Sequence, residues 1–342
     1  MVRLQKYTFD RRALLIGAAA IGIAGSRSLA VAQTPATGFP EFPELVPLPE
    51  TGERADGAIR VVTTTGIIAD LVRQVGGARV EVNSILPANA DPHSFEPAPD
   101  DIAIVDASQV VFIHGLELDT WVDTIIENAG GDFALVTVTD GVPTRNAEED
   151  TSEEEGDDDH EHDHDVDPHV WFDPTLTALM AANIAAALTE VDPDGADAYA
   201  ARLEAYQGQL NDLDQQIMDR VSLIPEERRV IVTNHDSLGY YADRYSIEVV
   251  GTVIPGLSGD AEPSAKEIAE LLDIVAEHNV NAIFAETTIS PSLAEELAAQ
   301  SGIQVVATLF TDSLGDADSG ADTYIGMMRF DTRAIVEALM GS

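Results

Sequence analysis

Between residues 195 and 223, Tyr199, Leu203, Tyr206, Leu210, Leu213, Ile217 and Val221 recur four and three positions apart. That period places all seven on one face of a single α-helix. Over 29 residues, at about 1.5 Å each, the helix would be about 43 Å long, the width of a whole domain. Such a rod has to bury its stripe against what precedes and follows it in the chain, and the same pattern lies on both sides. Before it, the strand-like runs 59–65, 80–86, 110–115 and 134–139 alternate with helix-like segments 66–75, 100–107 and 121–129, and a further helix is expected over 174–190. After it, strand-like runs 229–234, 247–253, 282–287 and 304–310 alternate with helix-like 238–245, 264–279, 291–300 and 321–339. Short apolar runs separated by amphipathic segments predict parallel strands with crossover helices. The expected fold is therefore α/β: two lobes, each a parallel sheet with flanking helices, joined by one long rigid helix.

The boundaries follow from this pattern. Arg3, Lys6 and Arg11-Arg12 precede an apolar run, Ala13 to Gly25, which leads to Ala30-Val31-Ala32. A charged start, a short apolar stretch and an A-x-A site predict an export signal over 1–32, and the paired arginines point to the twin-arginine route. Residues 33–58, rich in Pro and Gly, read as a flexible tether. The first lobe spans 59–194, the linking helix 195–224 and the second lobe 225–342.

Composition narrows the partners. The formal net charge is −43, which argues against nucleic acid or an anionic membrane surface as a partner. Part of the charge is local. Residues 147–167 hold thirteen Asp or Glu and no Lys or Arg, inside a polar loop, 143–166, too long to be an ordinary connection. The rest fits a saline habitat or an ordinary acidic extracytoplasmic protein equally well. There is no cysteine, so there is no disulfide, no thiolate ligand and no lipidated N-terminal Cys. A tight metal site must be built from His, Asp and Glu.

Asp-Pro-His occurs twice, at 91–93 and 167–169. In open α/β sheets ligands bind beyond the carboxyl ends of the strands. His93 lies on the loop after strand 80–86, His235 directly follows strand 229–234, Asp312 follows strand 304–310, and His169 precedes the helix that opens at Pro174. The separations, 76 residues from His93 to His169 and 66 more to His235, match no local motif. A single His after a strand is more often a hydrogen-bonded structural residue. What favours a metal site is the duplicated tripeptide and the acidic run bearing His160, His162 and His164, which reads as an auxiliary, weaker metal-collecting arm. His114 ends a strand and is expected to be structural. His278 suits the C-terminus of helix 264–279. Glu286 closes strand 282–287 and could hydrogen-bond a ligand histidine.

Five stretches, DPHSFEPAPDD (91–101), DPHVWFDP (167–174), TNHDSLGYYADRY (233–245), GLSGDAEPSAKEI (256–268) and FTDSLG (310–315), resemble the substrate-binding proteins of zinc and manganese ABC importers. The resemblance spans roughly 59–340. It implies two Rossmann-like lobes on a rigid helix, an ABC-transporter permease as partner, and His93, His169, His235 and Asp312 as metal ligands. Zinc members of that family resemble this chain in having His at the third position, where manganese members usually have Glu, so Zn2+ is the expected cargo and Mn2+ the alternative. Many relatives carry a lipid on a Cys, and this chain departs from them there. Three imidazoles with one carboxylate suit zinc, whereas manganese prefers more oxygen.

Two other readings compete. A secreted zinc hydrolase would leave the fourth position to water, whereas closure by Asp312 favours capture. HEHDH (160–164) spells HExxH but sits in an acidic run with no apolar face, where that motif does not work. An organic-solute binder would need an aromatic or Arg-lined pocket, of which the sequence offers little sign.

Overall fold

The computed structural model describes residues 41–54, 56–146, 166–257 and 263–341. The export signal at 1–32 and the loop histidines His160, His162 and His164 lie outside the described residues. The first lobe contains β1 (Ile59–Thr63), α1 (Gly66–Gly76), β2 (Val80–Ser84), α2 (Pro99–Asp106), β3 (Val110–Ile113), α3 (Val122–Asn128) and β4 (Ala134–Thr137). Two helices follow, α4 (Pro174–Val191) and α5 (Ala196–Val221). The second lobe contains β5 (Val230–Thr233), α6 (Gly239–Tyr245), β6 (Glu248–Thr252), α7 (Ala265–Glu277), β7 (Ala282–Glu286), α8 (Ser292–Ser301), β8 (Gln304–Leu309) and α9 (Tyr324–Met340).

Both sheets are parallel and share one topology, β2-β1-β3-β4 and β6-β5-β7-β8. In each, the chain leaves the first strand toward one edge and returns to its other side. The strand order thus reverses between β1 and β3, and again between β5 and β7. The strand ends at these reversals open a crevice where loops diverge. Strands stop earlier than the apolar runs suggest: β3 ends at Ile113 and β5 at Thr233. His114 and Asn234 are apolar-run neighbours in sequence but sit just beyond the last residues of their strands.

The linking helix α5 has 26 residues, about 39 Å of rise. It starts after a short 3-10 turn at Pro193–Gly195 and ends at Val221, ahead of Pro225. Its stripe is buried as expected: Tyr199, Tyr206, Leu210, Leu213, Ile217 and Val221 are each at most 1% exposed. One continuous core joins them to Ile59, Val61, Leu71 and Met180 on the first-lobe side and to Ile231, Phe284, Leu309 and Ile335 on the second. The sheet faces turned away from α5 have separate cores, around Val62, Val111 and Ile125 in one lobe and Val232, Leu271 and Ile283 in the other. The lobes therefore share apolar packing along their inner faces rather than hanging from a bare rod, and such an interface resists relative motion.

Residues 41–54, most of the described part of the stretch 33–58 expected to be a flexible tether, are extended but docked. Arg220 lies over the Phe42 ring at 3.6 Å and Arg329 at 5.0 Å. Gln209 donates to the Val46 carbonyl at 2.6 Å and Arg202 to the Pro49 carbonyl at 2.6 Å. A Pro-rich segment makes no helix or ladder of its own, and here long polar side chains of α5 satisfy its carbonyls instead.

Candidate metal centre

Both Asp-Pro-His tripeptides fold into the same turn. Asp91 Oδ1 accepts from the backbone N–H of His93 at 2.8 Å, and Asp167 Oδ1 accepts from that of His169 at 2.9 Å. The short aspartate side chain closes the turn on its own backbone, and the intervening proline restricts the preceding residue to extended conformations. The tripeptide is thus a local device for presenting an imidazole. In the second copy Asp167 Oδ1 also accepts from His169 Nδ1 at 2.8 Å. In the neutral ring that bond sets the tautomer, with the Nε2 lone pair pointing the other way.

His235 is held differently, from the reversal point of the second sheet. Glu286, the last residue of β7, accepts from the His235 backbone N–H through Oε1 at 3.0 Å and lies 2.5 Å from His235 Nδ1 through Oε2. The register between β7 and β8 shifts between Phe284 and Glu286, an irregularity of the ladder immediately before the residue that holds His235. Glu286 also accepts from the Thr311 hydroxyl at 2.8 Å. It thereby ties the loop bearing His235 to the loop bearing Asp312.

These four side chains converge. One ligand atom from each of His93, His169, His235 and Asp312 lies within 4.8 Å of every other. His169 Nε2 is 3.4 Å from Asp312 Oδ1, and His235 Nε2 is 3.5 Å from Asp312 Oδ2. A tetrahedral zinc ion with bonds of about 2.0–2.1 Å has ligand-to-ligand edges of about 3.3–3.4 Å. The Nε2 atoms of all three histidines and Oδ1 of Asp312 are buried without a hydrogen-bond partner. Four unpartnered donor atoms in one place are costly unless something binds them. Asp312 Oδ2, by contrast, faces the hydroxyls of Thr288 at 3.3 Å and Thr311 at 3.2 Å. His169, His235 and Asp312 are buried, whereas His93 is half-buried and marks the open side of the site.

The electrostatics match this division. Burial is the largest influence on His93 and lowers its pKa to about 3, so it is neutral at pH 7. Burial also disfavours a charged His169, but the Asp167 and Asp312 carboxylates outweigh it and push its pKa up to about 10. His235 is raised in the same way, burial being overcome by Glu286 and Asp312. Burial acts to raise Asp312, yet the three imidazoles around it hold it well below the usual carboxylate range.

The carbonyl just before each of the four residues is also tethered. Trp121 Nε1 donates to Pro92 O at 2.8 Å, and the Ile254 N–H donates to Asn234 O at 2.8 Å. His114 Nε2 donates to Pro168 O at 2.8 Å, and Trp171 Nε1 to Thr311 O at 2.9 Å. His114 is therefore a support rather than a member of the cluster. His278 caps the C-terminus of α7, apart from it. The roles of Trp121 and Trp171 were not anticipated; the chain has just two tryptophans, and Trp171 alone is close in sequence to a histidine of the cluster, whereas Trp121 is 29 residues from the carbonyl it binds.

Residues 61–338 match the family described as zinc-uptake complex component A, periplasmic. The manganese-binding lipoprotein MntA of Halalkalibacterium halodurans is 34% identical over 291 residues, covering 85% of this chain and 92% of that protein. The zinc-binding protein TroA of Treponema pallidum is 32% identical over 290 residues, covering 83% and 90%. The solved structure of periplasmic TroA from the same organism superposes with a TM-score of 0.73 at 31% identity, covering 83% of this chain and 99% of that one. Several relatives are named lipoproteins, whereas this sequence contains no cysteine. The chain belongs to the zinc-uptake component A family and is a metal-binding substrate-binding protein of an ABC transporter, not an enzyme.

Proposed function

We propose that this protein captures Zn2+ outside the cytoplasm, between its two lobes, and hands it to a membrane permease, with His93, His169, His235 and Asp312 as the ligands. The observation that carries the reading is the set of four unpartnered buried atoms, three imidazole nitrogens and one carboxylate oxygen. A nitrogen-rich, four-donor set suits zinc, while manganese favours six oxygen-rich positions. The state of Asp312 supports four donors: its Oδ2 already faces two hydroxyls, which leaves Oδ1 as the free oxygen. Glu286 and Asp167 would orient His235 and His169 from behind. Export fits the sequence of residues 1–32, with the twin-arginine pair at Arg11-Arg12.

Manganese is the second reading. It is favoured by the relative named for manganese at 34% identity and by the approach of both Asp312 oxygens to imidazoles. Chelator-treated protein titrated with each metal against a competing dye separates the two. Zinc should bind one equivalent tightly, with a clear preference over manganese. His235→Glu should narrow that preference, because zinc loses a nitrogen and manganese gains an oxygen. Equal affinities for the two metals in the unsubstituted protein would overturn the zinc assignment.

A further inference from the structure

Both first-lobe loops that carry a histidine of the site also reach across to the second lobe, and both take hold beside Asp312. On one side the Trp171 indole N–H donates to the Thr311 carbonyl at 2.9 Å. On the other the Asn89 backbone N–H donates to the Ser313 hydroxyl at 2.9 Å. Trp171 follows His169 by two residues and Asn89 precedes His93 by four. Each histidine-bearing loop thus grips one neighbour of the carboxylate.

The local geometry is built for these contacts. Asn89 has a φ of 61°, the left-handed region that asparagine enters more readily than most residues. Ser313 donates its own hydroxyl proton to the Leu314 carbonyl at 3.0 Å, which leaves its oxygen to accept from Asn89. The Trp171 ring stands edge-on to His169 at 5.2 Å and to His114 at 5.1 Å. Thr311 and Ser313 are 0% and 3% exposed; the Trp171 bond is buried throughout, whereas the Asn89 bond is part-buried, with its donor on an exposed residue.

We propose that these two hydrogen bonds form a clasp between the lobes that positions Asp312 and sets how fast a captured ion leaves. The inference rests on Asp312 being a ligand, as proposed above. An ion enters from the half-open His93 side, so its capture does not depend on the clasp. Its escape requires a donor to let go, and Asp312 can move away only with the segment 311–313. Loosening that segment raises the dissociation rate while association stays the same, the usual partition for changes behind a binding site.

The test is zinc transfer from the full mature chain to an excess of chelating dye, followed by stopped flow. Trp171→Phe keeps an aromatic ring and removes the indole N–H. Ser313→Ala removes the hydroxyl with little change in volume. Each should speed zinc release on the order of 3- to 10-fold, the scale of one neutral hydrogen bond, with unchanged association. On an Asp312→Ala background neither should add any further acceleration, because the clasp acts through that carboxylate. Release at the unsubstituted rate in both variants, or equal acceleration with and without Asp312, overturns the clasp. If Asp312→Ala alone leaves zinc release unchanged, the ligand assignment itself fails, a result distinct from the other two, and the clasp falls with it.

Discussion

Asp167 offers one carboxylate oxygen to both the Nδ1 and the backbone N–H of His169, at 2.8 and 2.9 Å, while its other oxygen meets Arg145 at 3.0 Å. Burial acts to raise the Asp167 pKa, but the bonds to His169 outweigh it and hold the carboxyl below its usual range. The same residue therefore shapes the turn and orients the ring. Asp167→Asn should weaken zinc binding by about 10- to 100-fold, the usual cost of losing a carboxylate behind a ligand histidine. Dye competition measures this, and an affinity within twofold of the unsubstituted protein would show that the turn alone orients His169.

Metal binding should also release protons. With a pKa of about 10, His169 is protonated in the metal-free protein at pH 7, so an ion has to displace that proton. His93, with a pKa near 3, is already neutral. Calorimetry at pH 7 in buffers of different ionisation enthalpy should show at least one proton released per ion. Zero net release would contradict the raised His169. The same two groups shape the stability of the metal-free chain. His169 contributes stability that is complete below its unfolded pKa of about 6.5 and is lost as pH rises toward about 10. His93 does the reverse, and its contribution falls away as pH drops toward about 3. Thermal melts of chelator-treated protein should therefore decline on both sides of about pH 6.5 through these groups.

The acidic loop can be removed with its stem intact. Asn146 and Val166 form an antiparallel bridge, so an Asn-Gly dipeptide in place of residues 147–165 can close a two-residue hairpin turn there. The tight zinc equivalent should persist, and the weaker equivalents due to His160, His162 and His164 should vanish. Ligands on a polar run with no apolar face to pack would have to be ordered by the ion itself, which lowers their affinity. Loss of the tight equivalent in the shortened chain would mean that the loop supplies a primary ligand.

The guanidinium groups of Arg220 and Arg329 lie over the Phe42 ring, 3.6 and 5.0 Å from its centroid. Phe42→Ala should lower unfolding stability by about 1–2 kcal/mol through the lost cation–π contacts and packing, with zinc affinity unchanged. Urea denaturation of the metal-free protein reads the first quantity and dye competition the second. An unchanged urea midpoint would show that residues 41–54 lie on α5 without bracing it.

What the chain determines locally could be read from its residues. The alternation of apolar runs and amphipathic segments anticipated both parallel sheets, and the stripe from Tyr199 to Val221 anticipated α5, because strand and helix periods are properties of neighbouring residues. The repeated Asp-Pro-His was visible in the sequence, and the turn that each copy forms is equally local, since Asp91 and Asp167 bond only two positions ahead. Tertiary structure alone decided which polar residues meet. His93, His169, His235 and Asp312 are scattered along the chain and come within 4.8 Å only because the two lobes pack on one shared core. The same packing set His114 behind the Pro168 carbonyl rather than in the cluster and carried Trp171 to Thr311, 140 residues away. It also laid Phe42 against α5 and α9, where composition had suggested a free tether. Periodicity tells each segment which face to bury, but the partner for that face is chosen by contacts between segments far apart in sequence, and no local pattern encodes those.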